Sequence, residues 1–277
     1  MKQIILLYLL PITFLMLSAG VEIRDKNEEN TPIKIKSLSS VVIDEPYILV
    51  RGELVPRRDF PGAFSPDPKA IADQTIYQLN FDHLLIKENG AIYTMGANLQ
   101  MNVNELDALG GIISTFPTES TLLNISGSGG GNFKLNVSKA RGRLGIHWRG
   151  AKGKEGPKGA PPTEGMRGQY KELGLGGDYP SYQCVKGEKG FPGYPGLPGG
   201  NSGKVFIEIV DAQGLDLQRS ILGGEGGEGG PGGDGGEPQA SCQEAGPIGD
   251  RGPRGPAGET QTICVKLGDA VPDCKFE

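Results

Sequence analysis

The sequence predicts an all-β protein, in which an N-terminal β-solenoid or β-sandwich is followed by a bundle of extended polyglycine II or collagen-like helices with interspersed β-strands. Three observations support this fold class. After residue 40 the chain alternates apolar and polar residues and is rich in β-branched and aromatic side chains. After residue 149 it contains four tracts with glycine at every third position, and short strands of similar sequence lie next to those tracts. Essentially no α-helix is expected outside an N-terminal signal peptide.

Residues 1–20 have the features of a secretory signal peptide. Lys2 precedes an apolar run from Ile4 to Leu17, and three small residues follow that run. A retained membrane anchor is the alternative, because the uncharged stretch is just long enough to span a bilayer. We therefore expect a secreted protein, extracellular or on the outer cell surface, with the periplasm as the alternative location. Membrane contact is expected only through an uncleaved signal peptide.

The rest of the chain divides into four segments. Residues 21–38 are charged and lack an apolar period, which predicts a flexible leader. Residues 39–149 are expected to form a β-rich domain, and residues 150–267 a glycine-tract bundle. Residues 268–277 are expected to form a C-terminal disulfide loop.

One internal repeat lies within the β-rich segment. Residues 90–94 align with residues 111–115 at an offset of 21, and one further step lands near residues 131–135. A glycine at a corner followed by a short strand, repeated at this length, is typical of a β-solenoid. A β-sandwich with evenly spaced hairpins is the alternative.

A second repeat links the two halves of the chain. Residues 131–142 align with residues 203–214 at an offset of 72, and both copies contain three alternating apolar residues that predict a half-buried strand. Strands are therefore predicted at 204–210 and 262–267. The repeating unit is a strand, a turn, a second strand and a glycine tract.

We number the glycine tracts 1 to 4, and they cover residues 150–168, 187–199, 223–236 and 246–258. Tract 3 reads GGEGGEGGPGGDGG, with two glycine columns, whereas the other tracts have one. An extended threefold helix places every third residue on the same side, so a doubled column leaves room for neighbours on two sides. We therefore expect tract 3 in the middle of a bundle and the other three tracts outside it. The structural glycines of tract 3 are Gly223, Gly224, Gly226, Gly227, Gly229, Gly230, Gly232, Gly233, Gly235 and Gly236.

Two other interpretations of the tracts compete with a single-chain bundle. Trimeric collagen also requires glycine at every third position, but each tract is short and the phase is lost between tracts. A disordered linker does not explain the strict phase of tract 3. The bundle is favoured, which makes a monomer the expected state and a homotrimer the alternative. Acidic residues on the non-glycine column of tract 3 are expected to form a solvated face, because exposed ion pairs contribute little.

The four cysteines predict two disulfides in an exported chain. If tracts 2, 3 and 4 alternate in direction, Cys184 meets Cys242 at one end of the bundle, and Cys264 closes a short loop with Cys274. A nearby loop contains three tyrosines; aromatic-rich loops are common contact sites, and local packing beside a disulfide is the alternative. The candidate contact residues are Tyr170, Tyr179 and Tyr182.

Catalysis is not expected. His83 and His147 are the only histidines, neither has a partner at metal-ligand spacing, and no nucleophile elbow or phosphate loop is present. We expect no cofactor and no bound metal ion. The formal net charge of −5 argues against a nucleic-acid partner. The alternative functions are a carbohydrate-acting enzyme on a β-solenoid and a homotrimeric collagen-like fibre component.

The segment from Leu85 to Phe116, with the core sequence NGAIYTMGAN, is followed by mixed Gly-Pro-x and Gly-Gly-x tracts. Together these features resemble secreted collagen-like, glycine-rich proteins of Gram-negative bacteria, including predatory ones, over roughly residues 75–267. Similar glycine-tract bundles occur in phage tail-tip adhesins. The resemblance implies location and architecture, and it supplies no active-site residues. We therefore expect an exported structural or adhesive protein whose partner is a cell-surface glycan or protein.

Overall fold

The structure is a computed structural model that describes residues 33–59, 74–117, 126–162, 170–175, 180–184, 187–237 and 245–276. These residues are all-β, as predicted, and their only helical piece is a 3₁₀ turn at Arg57–Asp59. The predicted signal peptide lies outside the described residues. The strands are β1 Ile33–Ile43, β2 Pro46–Val50, β3 Glu53–Pro56, β4 Ile76–Ile86, β5 Ala91–Tyr93, β6 Asn98–Ser114, β7 Phe133–Arg149, β8 Tyr170–Leu175, β9 Pro180–Cys184, β10 Val205–Asp211, β11 Leu215–Leu222, β12 Thr262–Leu267 and β13 Asp273–Phe276.

Most strands belong to one large mixed sheet, in which two rows of parallel strands lie side by side. The first row runs β1, β4, β6, β7, β10 and β12. The second row runs β2, β5, the C-terminal part of β6, the C-terminal part of β7, and β11. Parallel pairing requires a long connection between neighbouring strands, so successive hairpins cannot build these rows. The pairing favours a solenoid over a sandwich of hairpins.

The long strands β6 and β7 contribute to both rows because each changes direction near its middle. The register between them shifts between Leu109 and Ile112. Gly110 and Gly142 have φ angles of 99° and 91°, values that residues with a side chain rarely adopt. A Cβ at Gly142 would also lie closer than 3.0 Å to the carbonyl oxygen of Ala108. Glycine at these positions therefore allows one strand to pass from the first row to the second.

Both repeats reappear as strand pairing. At the offset of 72, Phe133 pairs with Val205, and the next two alternate residues pair in the same register. At the offset of 21, Ile92 pairs with Ile113. The proposed third copy at residues 131–135 is wrong: Phe133 pairs with Leu99, because the chain there starts a new strand of the first row rather than of the second.

Two segment boundaries differ from the sequence prediction. The leader was expected to extend to residue 38, but β1 begins at Ile33. Ile35 near the start of β1 remains exposed and its segment is held by backbone pairing with β4, whereas Ile43 at the end of the strand is fully buried in the core. The predicted boundary at residue 149, between the β-rich domain and the glycine-tract bundle, does not divide the sheet, because β10 of the second segment pairs directly with β7 of the first.

The core lies on the inner side of the strands, where alternate residues are buried. In β7 the apolar residues Phe133, Leu135 and Val137 are buried, while the polar residues between them are not. The Trp148 ring stacks on Phe133 with centroids 4.6 Å apart, and its Nε1 donates a hydrogen bond of 2.8 Å to the carbonyl of Gly131. This partner satisfies the indole N–H in an apolar interior.

The C-terminal edge of the first row is closed by a short antiparallel strand. β13 pairs with β12, and the predicted disulfide between Cys264 and Cys274 joins the two strands. Such a cover protects a sheet edge from pairing with another chain. The predicted pair Cys184–Cys242 lies outside the described residues.

The core is expected to dominate stability, and two neighbours on β10 test this. Ile209 is fully buried and Val210 is 68% exposed. Ile209→Ala should lower the free energy of unfolding by about 2 to 5 kcal/mol because it leaves a cavity. Val210→Ala should change it by about 0.5 kcal/mol or less. Urea unfolding of both variants measures the difference, and equal losses would contradict the observed strand orientation.

Candidate functional site

The glycine tracts leave and re-enter the sheet at defined strand ends. Tract 1 begins directly after β7, and tract 3 begins directly after β11. Tract 2 ends shortly before β10, and tract 4 ends shortly before β12. The tracts therefore connect the end of the second strand row to the start of the first row.

Parallel hydrogen bonding joins two pairs of tracts. The N–H groups of Gly153, Gly156 and Gly159 in tract 1 donate to carbonyls of tract 3 at 2.8 to 2.9 Å. Tract 2 donates in the same way to tract 4. Those donors are Gly190, Gly193, Gly196 and Gly199, and the acceptors are Pro247, Asp250, Pro253 and Pro256, at 2.9 to 3.0 Å.

Antiparallel hydrogen bonding joins the remaining neighbours. Tract 3 donates to tract 2, tract 4 donates to tract 3, and tract 2 donates to tract 1, again from every third residue. Within the described residues, tracts 2 and 3 each contact three other tracts, whereas tracts 1 and 4 contact two. Tract 2 exposes its two non-glycine columns, as expected for an outer tract. It nevertheless has more neighbours than one glycine column suggests, because the N–H groups of its glycine column and of the adjacent column donate to two different tracts.

The two glycine columns of tract 3 face two different tracts. A Cβ at Gly226 would lie closer than 3.0 Å to the carbonyl of Gly255 in tract 4, and one at Gly227 would meet the carbonyl of Lys154 in tract 1. The contacts are with backbone, which cannot rotate away. The glycines that face tract 4 are Gly223, Gly226, Gly229, Gly232 and Gly235, and those that face tract 1 are Gly224, Gly227, Gly230 and Gly233.

Prolines in tract 2 occupy the one column of that tract that donates no backbone hydrogen bond to another tract. The glycine N–H groups donate to tract 4, and those of Phe191, Tyr194 and Leu197 donate to tract 1. The third column consists of Pro192, Pro195 and Pro198. Since proline has no N–H, no donor is left unpaired there.

Arginine side chains of tract 4 satisfy carbonyls of tract 3 that no backbone N–H reaches. Arg251 Nε donates to the carbonyl of Gly229 at 2.8 Å, and Arg254 Nε donates to that of Gly226 at 3.1 Å. Arg254 also binds the carboxylate of Glu225 at 2.9 Å. The acidic column is therefore paired with cations and is more than a solvated face, although its side chains stay exposed and each pair contributes about 0 to 1 kcal/mol.

An exposed apolar row runs along tract 2. The exposed fractions of Phe191, Tyr194 and Leu197 are 44%, 56% and 49%. Their backbone donors and acceptors bind tracts 1 and 3, which fixes the spacing of the side chains. In an extended threefold helix that spacing is about 9 Å. The period-three apolar pattern in GFPGYPGLPGG was the signal for this row, and the sequence prediction missed it.

The predicted tyrosine contact loop is described only in part. β8 and β9 form a two-stranded antiparallel sheet, in which Tyr170 lies opposite Cys184 and Tyr182 opposite Glu172. Tyr179 lies outside the described residues. No side-chain contact of these three tyrosines is described, so their proposed role stays a prediction.

The charged residues near His83 form a paired cluster. Asp107 accepts hydrogen bonds from Arg141, at 2.8 Å to Nη2, and lies 3.1 Å from His83 Nε2. The Arg141 hydrogen bond lowers the pKa of Asp107 to about 2, assisted by His83. Asp107 in turn raises the pKa of Arg141. A permanently charged pair of this kind supplies neither a proton donor nor a base near neutral pH.

His147 lies apart from that cluster. Its Nδ1 is 2.9 Å from Ser220 Oγ on the paired strand β11. Burial lowers its pKa, and the charge of Arg149 lowers it further. Among the described residues no three His, Cys, Asp or Glu side chains form a group that could hold a metal ion.

Comparisons with family models, curated proteins and solved structures find no match to this chain. Nor does any helix in the described part have the length and apolarity to cross a membrane. Inferences about function therefore rest on the geometry of the tracts and of the sheet.

The tract packing predicts a sharp contrast between adjacent positions of tract 3. Gly226→Ala should lower the free energy of unfolding by about 1 to 3 kcal/mol, because its Cβ meets the tract 4 backbone. Glu225→Ala should cost about 1 kcal/mol or less, since it removes only exposed ion pairs. Chemical denaturation measures both values. Equal tolerance at the two positions would contradict close packing on that glycine column.

The Asp107 cluster predicts a pH effect on stability. The pKa of Asp107 is about 2 in the folded state, below the ordinary value of 3.8. The contribution of its ionised carboxylate to the free energy of unfolding is therefore complete above about pH 4 and is lost as the pH falls toward 2. Between pH 4 and pH 2 the Tm of Asp107→Asn should therefore fall less steeply than that of the parent protein. Arg141→Gln should have the same effect, and combining both changes should add nothing. Unchanged slopes in both variants would exclude this pairing.

Proposed function

We propose that this chain is an exported, non-catalytic structural or adhesive protein, in which a β-solenoid supports a bundle of polyglycine II-type helices. The observation that carries the proposal is the set of backbone hydrogen bonds that joins four glycine tracts of one chain. Extended threefold helices cannot form internal hydrogen bonds, so they must bond to neighbours. Donation from every third residue is the pattern such helices require. The fourteen residues of tract 3 would then span about 43 Å.

The hydrogen bonding supports a monomer over a collagen-like homotrimer. Collagen places the glycines of three chains at a common axis. Here the N–H groups of the single glycine columns of tracts 2 and 4, and of one of the two glycine columns of tract 3, are bonded to tracts of the same chain. Those groups are consequently not available to two further chains.

The exposed apolar row supports an adhesive role. Phe191, Tyr194 and Leu197 are held by the backbone contacts of tract 2, so they lose little conformational freedom on binding. Rigid aromatic side chains provide contact area at low entropic cost. We propose that this row contacts the partner, a cell-surface glycan or protein, in addition to the tyrosine loop. The disulfide between Cys264 and Cys274 is consistent with an oxidising, extracellular location.

The test replaces the row and keeps the backbone. Phe191→Ser, Tyr194→Ser and Leu197→Ser in one variant should reduce retention on arrayed surface polysaccharides and glycoproteins at least tenfold, because anchor side chains carry most binding energy. The control is Val271→Ser, which changes an apolar residue that is exposed outside the tracts. Both variants should keep the parent circular dichroism spectrum and Tm.

Three outcomes would contradict the proposal. Retention that is unchanged in the triple variant would remove the row from the contact surface. Degradation of an arrayed polysaccharide by the parent protein would favour a carbohydrate-acting enzyme. Sedimentation of the parent protein as a trimer would favour the collagen-like fibre.

A further inference from the structure

Tract 1 extends the exposed row of tract 2 into a wider surface. The N–H groups of Phe191, Tyr194 and Leu197 donate to carbonyls of tract 1 at 2.9 to 3.2 Å, and those carbonyls are also three residues apart. The residue pairs that these bonds hold side by side are Phe191–Ala160, Tyr194–Pro157 and Leu197–Lys154. We call these six residues the strip.

A cleft of about 550 Å³ adjoins the lysine end of the strip. Its lining residues are Lys154, Glu155, Gly156 and Pro157 of tract 1, Leu197 of tract 2 and Pro231 of tract 3. Among these residues Glu155 has the one carboxylate, which binds Arg251 at 2.7 Å. The cleft therefore combines apolar side chains with a lysine whose charge its own lining does not neutralise.

Backbone pairing fixes the interval between the contact groups of the strip. Successive members are three residues apart on both tracts, which corresponds to about 9 Å in an extended threefold helix. A partner contacts all of them only if its own side chains recur at the same interval along a straight line. An extended threefold helix has this repeat. Side chains on one face of a β-strand recur at about 7 Å, and those on one face of an α-helix at about 5.4 Å.

The polar groups of the strip are donors on side chains. The N–H groups of tract 2 from Gly190 to Leu197 are already bonded, or are absent at proline. The hydroxyl of Tyr194 and the ammonium of Lys154 form no hydrogen bond with the part of the chain that the structure describes. A proline-rich segment has free carbonyl acceptors and few N–H donors, and proline packs well on aromatic side chains. Its chemistry therefore complements these donors and the apolar row.

Charge distinguishes the two ends of the strip. Two nearby lysines of tract 1 are ion-paired: Lys152 lies 3.9 Å from Glu225, and Lys158 binds Asp234 at 2.7 Å. Lys154 has no ion-pair partner among the described residues. The strip is therefore apolar at one end and cationic at the other. A partner with complementary ends carries an acidic residue one turn beyond its apolar contacts.

We propose that the strip binds an extended, proline-rich segment of another protein, which lies along tract 2 as a further threefold helix. Apolar residues of that segment, three apart, contact Phe191 and Tyr194, and an acidic residue one turn further on pairs with Lys154. The interface continues those by which tract 2 already packs on other extended tracts of the bundle. The inference rests on the proposed adhesive function, because it names an extended protein segment as the partner of the row.

Fluorescence anisotropy of the mature chain with labelled peptides of about twelve residues, which span about 37 Å when extended, tests the partner. The in-phase peptide repeats Pro-Pro-Leu, with Glu in place of the last leucine; a second version has Glu in place of the first, because the chain direction is open. The out-of-phase peptide has the same composition, with leucines alternately two and four residues apart. One in-phase version should bind with a Kd of about 0.1 mM or tighter, and the out-of-phase peptide at least about tenfold more weakly.

Matched variants test the two ends of the strip separately. Tyr194→Ala should weaken binding of the in-phase peptide about tenfold, whereas Ile248→Ala, at an exposed apolar residue of tract 4, should not change it. Lys154→Gln should weaken it about threefold at low salt and leave a peptide with Gln in place of Glu unaffected. Lys158→Gln is the control on the same tract and should leave both affinities unchanged. All four variants should keep the parent circular dichroism spectrum.

Four results would overturn the inference. Three are no peptide binding up to about 2 mM, equal affinity for in-phase and out-of-phase peptides, and unchanged affinity in Tyr194→Ala. The fourth is a dimer of the parent protein that the triple serine variant of the row abolishes, which would assign the strip to a second copy. If the parent protein is retained on arrayed glycans through the row but binds no peptide, the adhesive function stands and this partner is rejected. Peptide binding without such retention would support this partner and reject the arrayed glycans.

Discussion

The requirement that every buried backbone N–H and C=O be paired governs this molecule, because its glycine tracts have few side chains with which to form a core. Tracts 2 and 4 end shortly before β10 and β12. Parallel pairing of β10 with β7, and of β12 with β10, holds those ends near the start of β7, the strand that tract 1 follows. Tracts that start and end at adjacent strands are forced to lie next to each other. Their hydrogen bonds then follow from proximity and from the period of three, and the glycine columns permit the approach.

Residues other than glycine complete this pairing, each through its own chemistry. Pro192, Pro195 and Pro198 fill the column of tract 2 that donates no backbone hydrogen bond to another tract. Arg251 and Arg254 reach across to tract 3 carbonyls that no backbone donor approaches. The non-glycine columns are consequently far from arbitrary, even where they are exposed. In tracts of this kind, proline and arginine therefore indicate where the neighbouring tracts lie, as glycine does.

The sequence predicted what depends on local periodicity and missed what depends on the order of neighbours in space. The offset of 72 forecast the register of Phe133 with Val205, because strands that stack directly must present similar faces. Alternation did not reveal β1, which is an edge strand with Ile35 exposed. One glycine column suggests one close neighbour for tract 2, yet its N–H groups in two columns donate to two different tracts.

The proline column also limits further backbone pairing along tract 2. A row of free N–H groups along an extended chain is a template for another chain, as the edge of a β-sheet is. In tract 2 each N–H from Gly190 to Leu197 is either bonded within the chain or absent because the residue is proline. A fifth extended chain would find no donors on that side. The apolar row on the same tract can then bind a partner through its side chains without recruiting further tracts through its backbone.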